Sequence, residues 1–152
     1  MDVFIKARDN DLDFFYKNPI FLDMQDELGQ SLLHYAIRGN ASDVFFYLLD
    51  NKINPNLKNL RGETPIFEAV RKGKIDFVAS LIKSYSEINV KNTLGETPLH
   101  LACQKGSIKL ISLLIENKAD IFALTNKGES IIFYALRSHK IEAYDYVRLL
   151  SP

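Results

Sequence analysis

The sequence predicts an all-α repeat solenoid. Three observations carry this. Four phrases align, starting at Gly29, Gly62, Gly95 and Gly128, so 33 residues separate each from the next. Each phrase opens in the manner of a capped helix, and each is followed by a second segment with helical apolar spacing. A fixed period of this size marks stacked supersecondary units, none able to bury its apolar face without a neighbour. The 152 residues, 47% of them hydrophobic, suit a single array over residues 1–152.

In chain order, residues 1–28 hold a fainter echo, "VFIKARDNDLDFFYKNP". It predicts a first helix, an Asn-Asp break and a shorter second helix ended by Pro19. We expect a degenerate N-terminal cap, because an end unit needs one polar outer face.

The four phrases follow: "GQSLLHYAIRGN", "GETPIFEAVRKG", "GETPLHLACQKG" and "GESIIFYALRSH". In each, the glycine can turn the chain with positive φ, and Ser31, Thr64, Thr97 or Ser130 can cap the first-turn N–H groups. Pro65 and Pro98 sit at the first helical position, where a missing N–H costs nothing; Leu32 and Ile131 replace them in the outer units. Asn40, Gly73, Gly106 and His139 end this short helix, and the first three are types that tolerate a left-handed cap.

The second helix shows amphipathic spacing at Ile108, Ile111, Leu114 and Ile115, and again at Ile75, Phe77, Val78, Leu81 and Ile82. Between it and the next glycine lie "INPNLKNLRG", "SEINVKNTLG" and "ADIFALTNKG", which read as loop and hairpin. The last second helix, "KIEAYDYVRLL", is more polar, so the repeat from residue 128 is expected to serve as the C-terminal cap.

This pattern resembles the ankyrin repeat family over about residues 29–152. The period, the T-P-L-H-x-A phrase from Thr97 to Ala102 and the N-x-x-G-E-T hairpin ending carry the resemblance. The family's glycine after the second helix is replaced by Lys52, Tyr85 and Lys118, and the last unit stops at Pro152 without a hairpin.

Charge is balanced, with 19 basic and 19 acidic residues, so no whole-molecule field draws nucleic acid or membrane. Cys103 is the only cysteine, which excludes an intramolecular disulfide and cysteine-rich zinc sites. The start, "MDVFIKARDNDLDFF", does not read as a signal peptide, and no run approaches the ~18 apolar residues of a membrane span. A soluble, cytoplasmic protein is expected.

Catalytic motifs are missing: there is no G-x-G-x-x-G, Walker loop, H-E-x-x-H or G-x-S-x-G. We expect no enzyme activity, cofactor or metal. His34 and His100 fall where the resemblance implies a structural ring bonded to hairpin backbone, and Phe67 and Phe133 fill the same position in the other repeats. Cys103 shares its slot with Ile37, Val70 and Leu136, pointing to core packing. Glu63, Glu96 and Glu129 form a column, but stacked units ~10 Å apart are too far separated for a paired-carboxylate mechanism at ~5 to ~9.5 Å.

The resemblance also implies a partner protein on a concave face built from hairpin tips and first helices. The tips are Glu27 and Leu28, Leu60 and Arg61, Thr93 and Leu94, and Asn126 and Lys127. Glu63, Glu96 and Glu129 add an acidic strip near the hairpins, and the middle row is Tyr35, Glu68, Leu101 and Tyr134. A basic strip holds Arg38, Arg71, Gln104 and Arg137, flanked by Lys72 and Lys105. Tyrosine and arginine are enriched at binding hot spots; pairing of these arginines with the glutamates is the plainer alternative.

The expected function is a non-enzymatic module gripping another protein, for which a stoichiometric inhibitor or a toxin-neutralising immunity protein is a reasonable subtype. The competing reading is an enzyme or small-ligand binder around Tyr35, Glu68, Arg71 and Tyr134. Nucleic acid is disfavoured, since the glutamates would repel phosphate. A monomer is expected when unbound, with a side-by-side dimer as the alternative.

Overall fold

The computed structural model describes residues 2–150, so the expected array ends at Met1 and Pro152 lie outside the described residues. Among these residues there are ten helices, and the sole β pairing is an isolated bridge between Gln25 and Ser31. The helices form five antiparallel pairs: α1 (Val3–Arg8) with α2 (Leu12–Lys17), α3 (Leu32–Arg38) with α4 (Ser42–Asp50), α5 (Pro65–Arg71) with α6 (Ile75–Lys83), α7 (Pro98–Lys105) with α8 (Ile108–Glu116), and α9 (Ile131–Arg137) with α10 (Ile141–Leu150). The inner helices α1, α3, α5, α7 and α9 stack in chain order, and the outer helices pack behind them.

The core runs through the stack as one continuous cluster. Leu32, Leu33, Ala36 and Ile37 of α3 and Val44, Phe45 and Leu48 of α4 are fully buried. Phe45 stacks on Phe77 of the next unit at a centroid distance of 4.2 Å, which ties α4 to α6. Burial of this kind is shared between neighbours, which is why a single pair could not hold its shape alone.

Helix starts follow the caps, with one exception. Ser31, Thr97 and Ser130 accept hydrogen bonds from the N–H groups of His34, His100 and Phe133. Thr64 does not: the Phe67 N–H goes to the Thr64 carbonyl at 3.1 Å, leaving the buried Thr64 hydroxyl without a partner. At the other end, Asn40, Gly73, Gly106 and also His139 take left-handed φ values, as does Asn10 after α1.

The outer helices end in a repeated motif. Lys52, Tyr85 and Lys118 sit at φ of 61, 68 and 70°, the region that favours glycine. Their N–H groups donate to Leu49, Ile82 and Ile115, while the N–H groups of Ile53, Ser86 and Ala119 reach back to Leu48, Leu81 and Leu114. These are three Schellman motifs built without glycine. At Gly39 glycine is sterically required: a Cβ there would lie 2.0 Å from the Arg8 carbonyl oxygen, because α1 rests its last turn on the end of α3.

Phe133 and Leu136 are exposed, although their counterparts Phe67, His100, Val70 and Cys103 are buried. Within the described residues no further unit stacks on α9 to cover them.

Candidate protein-binding face

The hairpins are held from within the 33-residue register. Asp26, Asn59, Asn92 and Thr125 each accept two backbone N–H bonds from residues two and four further on, which pins the tip between them. The tips are then joined to one another: the N–H groups of Leu60, Thr93 and Asn126 donate to the carbonyls of Leu28, Arg61 and Leu94 at 2.9 to 3.0 Å. A second ladder runs along the far edge, where Asp23 accepts from Asn54 N–H, Asn56 from Glu87 N–H and Asn89 from Asp120 N–H. Neither ladder figured in the sequence reading, although these residues recur in the same phase as the hairpin glycines.

The histidines are part of this frame. His34 Nδ1 lies 3.0 Å from the Ser31 backbone nitrogen and Nε2 lies 3.0 Å from the Glu63 carbonyl oxygen; His100 repeats this with Thr97 and Glu129. Burial pushes the His34 pKa down to about 4 and lowers that of His100. Both rings are thus neutral cross-links between units. Cys103 is buried and its thiol is pushed up to about 12 by burial, so it packs and is no nucleophile at neutral pH.

On the concave side the structure divides the expected contact residues into two groups. Leu60, Arg61, Thr93, Leu94, Gln104, Lys72, Lys105, Asn126, Lys127 and Arg137 are exposed, with Leu60 and Leu94 showing 70% and 61% of their surface. Glu63, Leu101 and Tyr134 are buried, at 3%, 8% and 4%, and do not form a contact surface. Tyr35, Arg38, Glu68, Glu96 and Glu129 are half-buried, and Arg71 stands at the edge of exposure.

The reason is polar pairing within and across units. Arg71 grips Glu63 through two hydrogen bonds of 2.8 and 2.6 Å, and Asn92 Nδ2 and Arg61 complete the carboxylate's shell. Burial alone would raise the Glu63 pKa, but the Arg71 and Asn92 hydrogen bonds outweigh it and hold the carboxyl below the usual range. Arg38 pairs with Glu68 at 3.2 Å, and Arg137 lies 3.8 Å from Glu129 with its guanidinium over the Phe133 and Tyr134 rings. The tyrosine hydroxyls are engaged as well: Tyr35 donates to Asp26 and Tyr134 to Glu96, each at 2.7 Å.

This geometry does not assemble the small-ligand site expected around Tyr35, Glu68, Arg71 and Tyr134. Tyr35 is on α3 and Tyr134 on α9, with α5 and α7 between them, and both hydroxyls are committed to carboxylates. A concavity of about 250 Å³ lies further along, between Leu94, Gln104, Asn126, Lys127, Tyr134 and Arg137. Among the described residues no group of His, Cys, Asp and Glu could hold a metal ion, and no helix is long and apolar enough to cross a membrane.

The family model for ankyrin repeats (3 copies) matches residues 4–92 and again residues 66–151. The chain belongs to the ankyrin repeat family. The match begins inside α1, so ankyrin character extends into the segment where the sequence shows only a faint echo. No curated protein matches the chain. Ankyrin repeats are protein–protein interaction modules, generally without enzymatic activity. In this ankyrin array the hairpin tips and the outward cations of the concave side are exposed.

Proposed function

We propose that this ankyrin array is a non-enzymatic, cytoplasmic binding module that holds a partner protein against its concave face and acts by occupying that partner. The observation that carries the reading is the row of exposed leucines, one on each of the first three tips: Leu28, Leu60 and Leu94. They stand on hairpins already fixed by tip-to-tip amide bonds, so a partner meets apolar groups whose ordering entropy is largely settled before binding. Exposed Arg61 and Arg137 flank them. Stoichiometric inhibition, including neutralisation of a toxin, is the mode of action we favour for a unit of this kind.

The test is capture from the source-cell lysate by wild type and by a Leu60→Ser/Leu94→Ser variant of equal melting temperature, followed by cross-linking of the captured protein to the tips. A partner lost from the variant and cross-linked near Asn126 or Lys127 supports the reading, and inhibition is then tested by titrating that partner's activity to a one-to-one endpoint. Equal retention by both proteins would rule out the concave face.

A further inference from the structure

We infer that the surface this face recognises is a protein segment rich in acidic and apolar side chains; this rests on the concave-face reading above. The charges on the face are layered. Side-chain exposure is 4% for Glu63, 13% for Glu68 and 25% for Glu129, against 62% for Arg61, 36% for Arg71, 37% for Arg38 and 48% for Arg137. Lys72 and Lys127 are exposed beside them and make no ion pair among the described residues. Glu63, Glu68 and Glu129 therefore lie beneath, occupied by arginines and asparagine, while the cationic heads lie outermost; exposed Glu27 on the first tip is the exception.

A guanidinium offers five donors. Arg38 places two on Glu68 and Arg71 two on Glu63, which leaves N–H groups for an incoming anion. The near-neutral sum of the face hides this, because an approaching group meets cations first and carboxylates only at depth. The leucines supply the second component, one on each of the first three tips, with Leu60 one residue earlier on its tip than Leu28 and Leu94. With units ~8–10 Å apart and ~3.1 Å per residue in a polyproline II segment, whose three residues per turn put i and i+3 on one face, apolar side chains three residues apart would meet successive tips.

A polyanion such as nucleic acid would use the same cations but leave the exposed tip leucines Leu28, Leu60 and Leu94 without a partner. Protein is therefore the occupant to which the observations point.

The experiment is selection of a displayed library of short random peptides on wild type and on a Lys72→Glu/Lys127→Glu variant, with melting curves to confirm that both are folded. Enrichment of Asp or Glu together with Leu, Ile or Phe on wild type, and loss of about tenfold or more in binding of an enriched peptide on the variant, is expected. Enriched peptides without acidic excess, lost on Leu60→Ser/Leu94→Ser but indifferent to the charge reversal, would overturn this inference and leave the concave face standing. Oligothymidine bound more tightly than any acidic peptide, with steep salt dependence, would overturn it in favour of nucleic acid. No binding of either probe would remove the concave-face reading and the inference together.

Discussion

Replacing Lys52, Tyr85 and Lys118 together by glycine should make the protein more stable. Each closes a Schellman motif at φ of 61 to 70°. A residue with a Cβ in that conformation costs about 1–2 kcal/mol. Glycine removes the strain but returns about 0.4–1 kcal/mol through the greater freedom of the unfolded chain. The net gain is about 0.5–1 kcal/mol per site. All three side chains are exposed, and the contacts that Tyr85 and Lys118 make to Asn56 and Asn89 are through their carbonyls, which glycine retains. The sites lie in successive units and share no side-chain partner, so their effects should add to about 2 kcal/mol. At a slope of about 1–3 kcal/mol/M, the urea midpoint should rise by about 1 M with m unchanged. Asn40→Gly is the control: asparagine already tolerates left-handed φ, so its gain should be much smaller. A triple variant whose midpoint stays put or falls, at constant m, would show that these backbones carry no such strain.

Four further outcomes follow from the same contacts. Because the folded His34 pKa lies near 4, below the ordinary 6.5, the unfolded chain binds the proton more readily; stability from this ring is fully present above pH 6.5 and is lost as pH falls toward 4. His34→Phe, copying buried Phe67, should flatten that part of a stability-against-pH curve. Glu63→Gln should destabilise by about 2–4 kcal/mol by removing one partner of a largely buried pair. It should also reduce the loss of stability below the ordinary carboxylate range, since a lowered folded pKa contributes stability only above it. Thr64→Val should be neutral or stabilising by up to about 1 kcal/mol because it deletes an unpartnered buried hydroxyl, whereas Thr97→Val should cost about 1 kcal/mol or more in the same denaturation assay. Native Cys103 should react with a thiol reagent only as fast as the protein opens, and as a free thiol in denaturant.

The fold was legible because a 33-residue repeat writes the same local instruction several times, so Gly62 and Gly95, Pro65 and Pro98, and His34 and His100 corroborate one another. The concave face was legible only by position. Reading along one chain places Glu63, Leu101 and Tyr134 beside Arg61, Gln104 and Arg137, but whether a side chain points outward depends on what the neighbouring unit offers it. Glu63 is drawn inward by Arg71 and by Asn92 of the following hairpin. Tyr134 is drawn inward by Glu96 from the unit before. The Thr64 exception was similarly hidden: the cap residue type is right, and only the backbone path at Phe67 decides that its hydroxyl goes unused.

The two hairpin ladders have a kinetic consequence. Among the described residues, the side-chain hydrogen bonds that reach from one helix pair or hairpin to its counterpart in the next span 29 to 38 residues of chain, as in His34 to Glu63 and Tyr134 to Glu96. Loop-closure entropy grows only with the logarithm of length, so the shortest and longest of these rings differ by about 0.2 kcal/mol. No interior pair therefore has a strong topological claim to form first, and no later step requires ends to meet across a longer distance. The initiating unit should be selected by local helix stability and side-chain packing, and substitutions such as those at Lys52, Tyr85 and Lys118 could move the starting point along the chain without altering the final structure.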